Sequence, residues 1–182
     1  PKKRTSFLIQ IKGVGYIFTS RLFWRIATAS TLLQGTNLAV QTLWAAPWLM
    51  DVAGLSLQEV GVYLLILGFF TMVGFLFWGG LATRLLAKGI QPLTIFKWGG
   101  GIFLIIQIPL VLNIKEGLVV IWACYGFFGT VGSLAYIVLA RGFSAELGGR
   151  VNTALNLLVF LGAFAIQWGV GAIVNYWPNA NG

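Results

Sequence analysis

Histidine is absent from this chain, cysteine occurs once, and acidic residues number four. Each scarcity closes off chemistry. Without His there is no imidazole base and no imidazole metal ligand. Cys124 alone supplies neither an intrachain disulfide nor a metal cluster, so no metal and no cofactor is expected, and it reads as a small apolar packing residue. Asp51, Glu59, Glu116 and Glu146 are too scattered for a paired-carboxylate site, and no nucleophile has a partner base; an enzyme is not expected. Charged residues make up 9% of the chain, against about 25% in soluble domains, so the material for a water-solvated surface is missing too.

What the chain does have is apolar length: 58% of it is hydrophobic. The apolar residues form five long stretches, predicted as helices at about 24–50, 57–86, 92–112, 118–140 and 150–176, each able to cross a ~30 Å hydrocarbon core at ~1.5 Å per residue. The stretches are longer than barrel strands and do not alternate, so no β-barrel is expected. The fold class is therefore an all-α integral membrane protein with five transmembrane helices and the lipid bilayer as its solvent. Between the stretches lie breakers. Gly54 ends the first, and Ser56 with Glu59 three residues later has the pattern of a capping box. Lys88-Gly89 ends the second, Pro92 opens the third, and Pro109 sits late within it, where it frees a carbonyl. Arg141 to Gly149 reads as a loop or short interfacial piece, and Pro178 stops the last helix.

Three regions follow: a basic cytoplasmic or interfacial segment at about 1–25, the helical bundle at 26–177, and an extracytoplasmic tail at 178–182. The first mixes Lys2, Lys3, Arg4, Lys12, Arg21 and Arg25 with apolar and aromatic residues. It suits either an amphipathic segment on an anionic leaflet or a disordered leader plus the first turn of the next helix. No signal peptide is read; the initial Pro and the polar end look like the bounds of a fragment.

The net charge of +8 is distributed at the ends of apolar segments, with no basic stripe, so nucleic acid is not an expected partner. With the N-terminus in the cytoplasm, every Lys and Arg except Lys115 lies inside, and Asp51, Glu59 and Glu116 lie outside. That is the positive-inside pattern. It predicts a multi-pass protein of the cell membrane whose C-terminus in this chain is outside. Trp44, Trp48, Tyr176 and Trp177 would mark the outer interface, and Trp24, Trp98 and Trp78 the inner one.

No acid or base falls clearly in the middle of a span, so a proton relay is not visible. The candidates for chemistry are neutral. Ser30, Gln34, Asn37, Gln41, Trp44 and Trp48 recur at helical spacing on one stripe of the first helix. Amides in a bilayer are costly without partners, so this stripe either lines a wet cavity and bonds a solute or bonds across a helix interface. Asn152, Asn156 and Gln167 lie near one face of the fifth helix, and Tyr125, Gly129, Ser133 and Tyr136 on the fourth. Asn156 and Gln167 are the better cavity candidates there; Asn152 reads at least as well as a helix-end residue, and a lone Tyr is more often packed than substrate-facing. Gln107 is expected to satisfy a backbone group near Pro109. Grouped glycines, among them Gly126, Gly129 and Gly132, let helices approach closely, either as static glue or to permit rocking. The solute contacts expected are Gln34, Asn37, Gln41, Tyr125 and Asn156.

Between the second and third helices stand Gly79, Leu81, Ala82, Arg84 and Lys88. They resemble the cytoplasmic loop signature of the major facilitator superfamily, with Thr83 in place of the acid and Leu86 in place of the second Gly. The run from Gly149 to Asn156, followed by Phe160-Leu161-Gly162-Ala163, is similar to the eleventh helix of that family and its approach. The resemblance spans nearly the whole chain and is to the C-terminal half, helices seven to eleven. It implies a partial bundle of that type and alternating access for a small solute. The partner would be a missing N-terminal half. The first and fourth helices here would line the pathway, with the fifth flanking it, and Gly79, Arg84 and Lys88 would serve a cytoplasmic gate or anchor the interface. A non-transporting scaffold is the alternative.

Overall fold

The computed structural model describes residues 7–176, and side chains from Gly13 onward. The expectations for Lys2, Lys3, Arg4, Trp177 and the 178–182 tail lie outside the described residues, and those for the side chain of Lys12 do too. Within them the chain is all helical, with no strand.

The basic leader contains a helix of its own, α1 (Phe7–Thr19). It stops at Ser20, whose extended backbone lets its hydroxyl accept the N–H of Phe23 at 3.4 Å. The Trp24 indole then donates back to the carbonyl of Phe18 at 2.7 Å, pinning the corner. At its other side α1 meets the last helix: Gly13 leaves room for the Arg150 guanidinium and Leu147.

The second helix, α2 (Arg21–Ala39), runs on without a break through a π-helical turn (Val40–Trp44), a short α3 (Ala45–Pro47) and a second π turn (Trp48–Val52). Pro47 has no N–H to offer the carbonyl of Leu43, and the ladder widens on either side of it. Ala45 N–H reaches five residues back, to Val40.

Four further helices follow. They are α4 (Leu57–Ala87), α5 (Pro92–Val111), α6 (Leu118–Gly129) continued through a 3-10 stretch (Thr130–Ser133) into α7 (Leu134–Gly142), and α8 (Gly148–Tyr176). Ser56 and Glu59 form the capping box at the head of α4, with Ser56 N–H donating to Glu59 Oε2 at 2.8 Å. Pro92 opens α5. The turns use Gly54, Gly89 and Gly117 at positive φ, a backbone that a side chain would strain. Only residues 143–147 separate α7 from α8, so the expected loop at 141–149 is shorter than it reads.

Among the described residues four helices are long and apolar enough to cross a membrane: Leu57–Ala87, Pro92–Val111, Leu118–Gly142 and Gly148–Tyr176. The sequence reading expects five, one more than meet this measure of length and apolarity. The stretch that falls short is the first. Its unbroken α-helical part, α2, carries Thr28, Ser30, Thr31, Gln34, Thr36 and Asn37 within 19 residues, which lowers its hydropathy.

The Leu118–Gly142 helix is central, with most of its apolar stretch buried, whereas α4 and α8 bury less than a fifth of theirs. α4 packs along α6, α2 along α8, and α5 against α6 and α7. Large apolar side chains face outward in number: Leu65, Leu76, Phe164 and Trp168 are 74%, 72%, 68% and 71% exposed. Water would penalise such a surface and hydrocarbon would not, which is compatible with a multi-pass membrane protein.

Candidate functional site

A cavity of about 530 Å³ opens where α2, its first π turn, α4, the Leu118–Gly142 helix and α8 converge. From α2 and the π turn come Gln34, Asn37, Leu38, Gln41 and Thr42. α4 supplies Thr71 and Phe75, the central helix Gly129, Thr130 and Tyr136, and α8 Asn156, Val159 and Phe160. No lining residue carries a charge.

Four of the five expected solute contacts, Gln34, Asn37, Gln41 and Asn156, therefore share one cavity. The reason is local. Positions 34, 37, 38 and 41 recur every three or four residues on one helix face, and Asn156 faces them from α8, the helix against which α2 packs. Tyr125 stands apart. It is fully buried between Phe103 and Trp122 at 5.0 and 5.6 Å, and its hydroxyl lies 3.5 Å from the Thr36 carbonyl. It is a packing residue behind the cavity wall.

The hydrogen bonds divide the polar groups into occupied and free. Gln34 Nε2 donates to Ser30 Oγ at 2.6 Å, and Ser30 Oγ donates to the Gly132 carbonyl at 3.2 Å. The Tyr136 hydroxyl donates to Asn156 Oδ1 at 3.0 Å. Gln167, expected as a cavity residue, instead donates to Thr42 Oγ1 at 2.8 Å, and Thr42 donates to the Leu38 carbonyl at 2.7 Å. That pair ties α8 to the π turn. Asn37 is only 8% exposed, and its Oδ1 has no partner among the described residues. Of the stripe, Gln34 bonds Ser30 within its own helix, Asn37 packs its amide oxygen against Gly129, and Gln34, Asn37 and Gln41 all border the cavity.

Glycines set how close the walls come. A Cβ on Gly129 would fall on the Asn37 amide, and one on Gly132 on the Gln34 side chain. The central helix can lie against the amides only because both positions lack a side chain.

Several expectations are revised. Trp44 and Trp48 do not cap the amide stripe. Trp48 stacks edge-on with Trp122 at 5.8 Å, and the Trp44 ring lies beside Gly171. The π turns add a residue to the ladder and rotate everything beyond Thr42 off the stripe. Asn152 and Ser133 do not line the cavity. Gln107 does bond a backbone group, donating to the Phe103 carbonyl at 3.3 Å, and not to that of Ile105, the one Pro109 leaves free. Gly79 and Arg84 are exposed on the last turns of α4 and Lys88 just beyond its end, and no other helix packs on Gly79. Lining residues that sequence reasoning missed are Thr71, Phe75 and Thr130. Thr71 had a signal, as a polar residue within an apolar run, while Phe75 had none.

No protein-family model, curated protein or solved structure matches this chain.

Proposed function

We propose that this chain crosses the membrane five times, with α2 and its π turns as the first crossing, and that its cavity carries a small solute by alternating access. The observation behind this reading is the cavity itself: uncharged amides gathered between helices whose other faces are apolar. Amides facing hydrocarbon would be costly, and amides facing water and a solute are not. On this reading α2 has low hydropathy because one of its faces is wet. The organisation resembles the C-terminal half of a major facilitator superfamily transporter, and a second helical unit would cover the open side of the cavity. Transport in that arrangement is secondary active, by rocking of one half against the other.

Accessibility tests the reading directly. In a Cys124→Ser background, cysteines replacing Gln41 and Asn156 should react in intact membranes with a small water-soluble thiol reagent. A cysteine replacing Leu65, on the exposed apolar face of α4, should stay unreactive. Equal reactivity at all three would remove the wet pathway. The scaffold alternative draws on the Gln167–Thr42 and Gln34–Ser30 bonds, and it requires Gln41 and Asn156 to be sealed.

The basic ends of the helices support a cytoplasmic N-terminus in the cell membrane. Arg21, Arg25, Arg84, Lys88, Lys97, Arg141 and Arg150 gather at one end of helices joined by short turns, and Asp51, Lys115 and Glu116 at the other. Cysteines replacing Asp51 and Lys115 should then be labelled by an impermeant reagent on intact cells, and one replacing Gln91 only after permeabilisation. The reverse pattern would invert the topology.

A further inference from the structure

A second concavity, a groove of about 390 Å³, lies on the outer side of the bundle between α2 and α5. We infer that it seats one acyl chain of an anionic phospholipid, with the lipid phosphate at the Lys97 ammonium. The inference rests on the membrane reading and is independent of what the central cavity carries.

Glycines give the groove its shape. α2 and α5 both pack on the central helix. They approach each other at Gly100, where a Cβ would come within 2.8 Å of Leu33 Cδ1. One residue further, at Gly101, a Cβ would meet nothing within 4 Å. Leu32 and Leu104 line the groove and remain 60% and 59% exposed. From Lys97 to Leu104 it extends about 10 Å along α5, at ~1.5 Å per residue. That is about two-thirds of one leaflet, which is half of the ~30 Å hydrocarbon core. A chain lying there would cover apolar side chains that no helix covers.

Charge selects the headgroup. Of the lining residues only Lys97 is charged. On α2, Arg25 is exposed and stands one turn before Ala29, a lining residue, on the same helix face. Neither α2 nor α5 carries Asp or Glu. Trp98, beside Lys97, is 75% exposed, as suits an indole at headgroup level. A phosphate placed here meets cations alone. Phosphatidylcholine and phosphatidylethanolamine bring a phosphate too, but their ammonium would face Lys97 and Arg25 with no carboxylate on either helix to receive it. Phosphatidylglycerol has no such group. A helix from another subunit fits less well, because it would seal the Lys97 charge into an apolar contact without a countercharge.

The test is native mass spectrometry of the detergent-purified chain, titrated with the dioleoyl forms of phosphatidylglycerol, phosphatidylcholine and phosphatidylethanolamine. The three share their acyl chains and differ in headgroup. The first adduct should form at least about fivefold more tightly with phosphatidylglycerol, the order expected of one Lys facing an anionic lipid. Lys97→Gln should remove most of that preference and Lys97→Glu should reverse it. Both change an exposed side chain, and an unchanged thermal midpoint by circular dichroism guards against reading misfolding as lost affinity. Gly101→Leu, which projects into open space, should fill the groove and weaken the first phosphatidylglycerol adduct severalfold, whereas Gly79→Leu, equally open but on α4, should leave it unchanged. Parity among the three lipids, or a preference that survives both Lys97 variants, overturns the inference. So does an adduct untouched by Gly101→Leu, or one displaced by equimolar inorganic phosphate, which would mark an anion site without a chain. A chain monodisperse in detergent-free buffer overturns the membrane reading along with it; parity in a detergent-dependent chain overturns this inference alone.

Discussion

Replacing Gly74 by leucine is expected to abolish the folded bundle. A Cβ at Gly74 would fall on the Phe127 carbonyl and the Thr130 hydroxyl, with the Phe127 Cα at 3.1 Å. These are largely backbone atoms of the central helix and cannot rotate aside. On the facing surface a Cβ at Gly126 would strike the Leu67 carbonyl and lie 3.1 Å from the Thr71 N. The two glycines therefore let α4 and the C-terminal end of α6 lie close together over neighbouring turns. Overpacking of a rigid core costs about 1–3 kcal/mol where side chains can yield. Here the helices themselves must part, so the loss should exceed that range. The expected readout is little or no Gly74→Leu protein recovered in folded form from membranes, against normal recovery of Gly79→Leu, where a Cβ meets nothing within 4 Å. Equal recovery of the two would mean that α4 and α6 are not in contact as described.

Trp78→Ala should be the most damaging large-to-small change. The ring is 6% exposed and packs with Phe77, Phe127 and Phe128 at centroid distances of 5.2, 5.4 and 5.6 Å. Its indole N–H donates to the Phe127 carbonyl at 3.0 Å, which Thr130 Oγ1 also reaches at 2.8 Å. That carbonyl lies where the helix tightens from α to 3-10, so side chains supply part of its hydrogen bonding. In lipid, exclusion of water adds little between helices, and the loss is mainly one of dispersion contacts. Truncation to alanine is expected to cost about 3–5 kcal/mol. Trp78→Phe should keep most of the packing and lose about 1 kcal/mol with the hydrogen bond. Unfolding in graded sodium dodecyl sulfate, followed by circular dichroism, separates the two. Similar losses for Ala and Phe would shift the weight from packing to the hydrogen bond.

The parts of the fold readable from sequence are those decided within one or two turns. Ser56 and Glu59 make their capping box from residues three apart, and Pro92 opens α5 because its missing N–H costs nothing there. The sharing of a face by Gln34, Asn37 and Gln41 is likewise a property of one helix. What sequence did not reveal depends on a neighbour or on a change of helical type. Tyr125 has the same composition signal as Tyr136, yet one is sealed behind the wall and the other reaches Asn156, because the 3-10 stretch between them alters the register. Gln167 reads as a cavity amide until Thr42 is found opposite it. Phe75 is one aromatic among many in α4, and only the placement of the central helix puts it in the cavity.

The π turn at Val40–Trp44 has a consequence for any variant that shortens the chain there. Deleting one residue, such as Leu43, would let that turn close to the ordinary pitch of ~3.6 residues. Ala45 N–H would then reach the Val40 carbonyl as an ordinary fourth residue, so the far half of the helix would stay in place and Trp48 would keep Trp122. A turn that closed without losing a residue would instead swivel that half by roughly 100°. The extra residue is thus absorbed as a local bulge, and it is the width of the turn that sets the azimuth of the outer half.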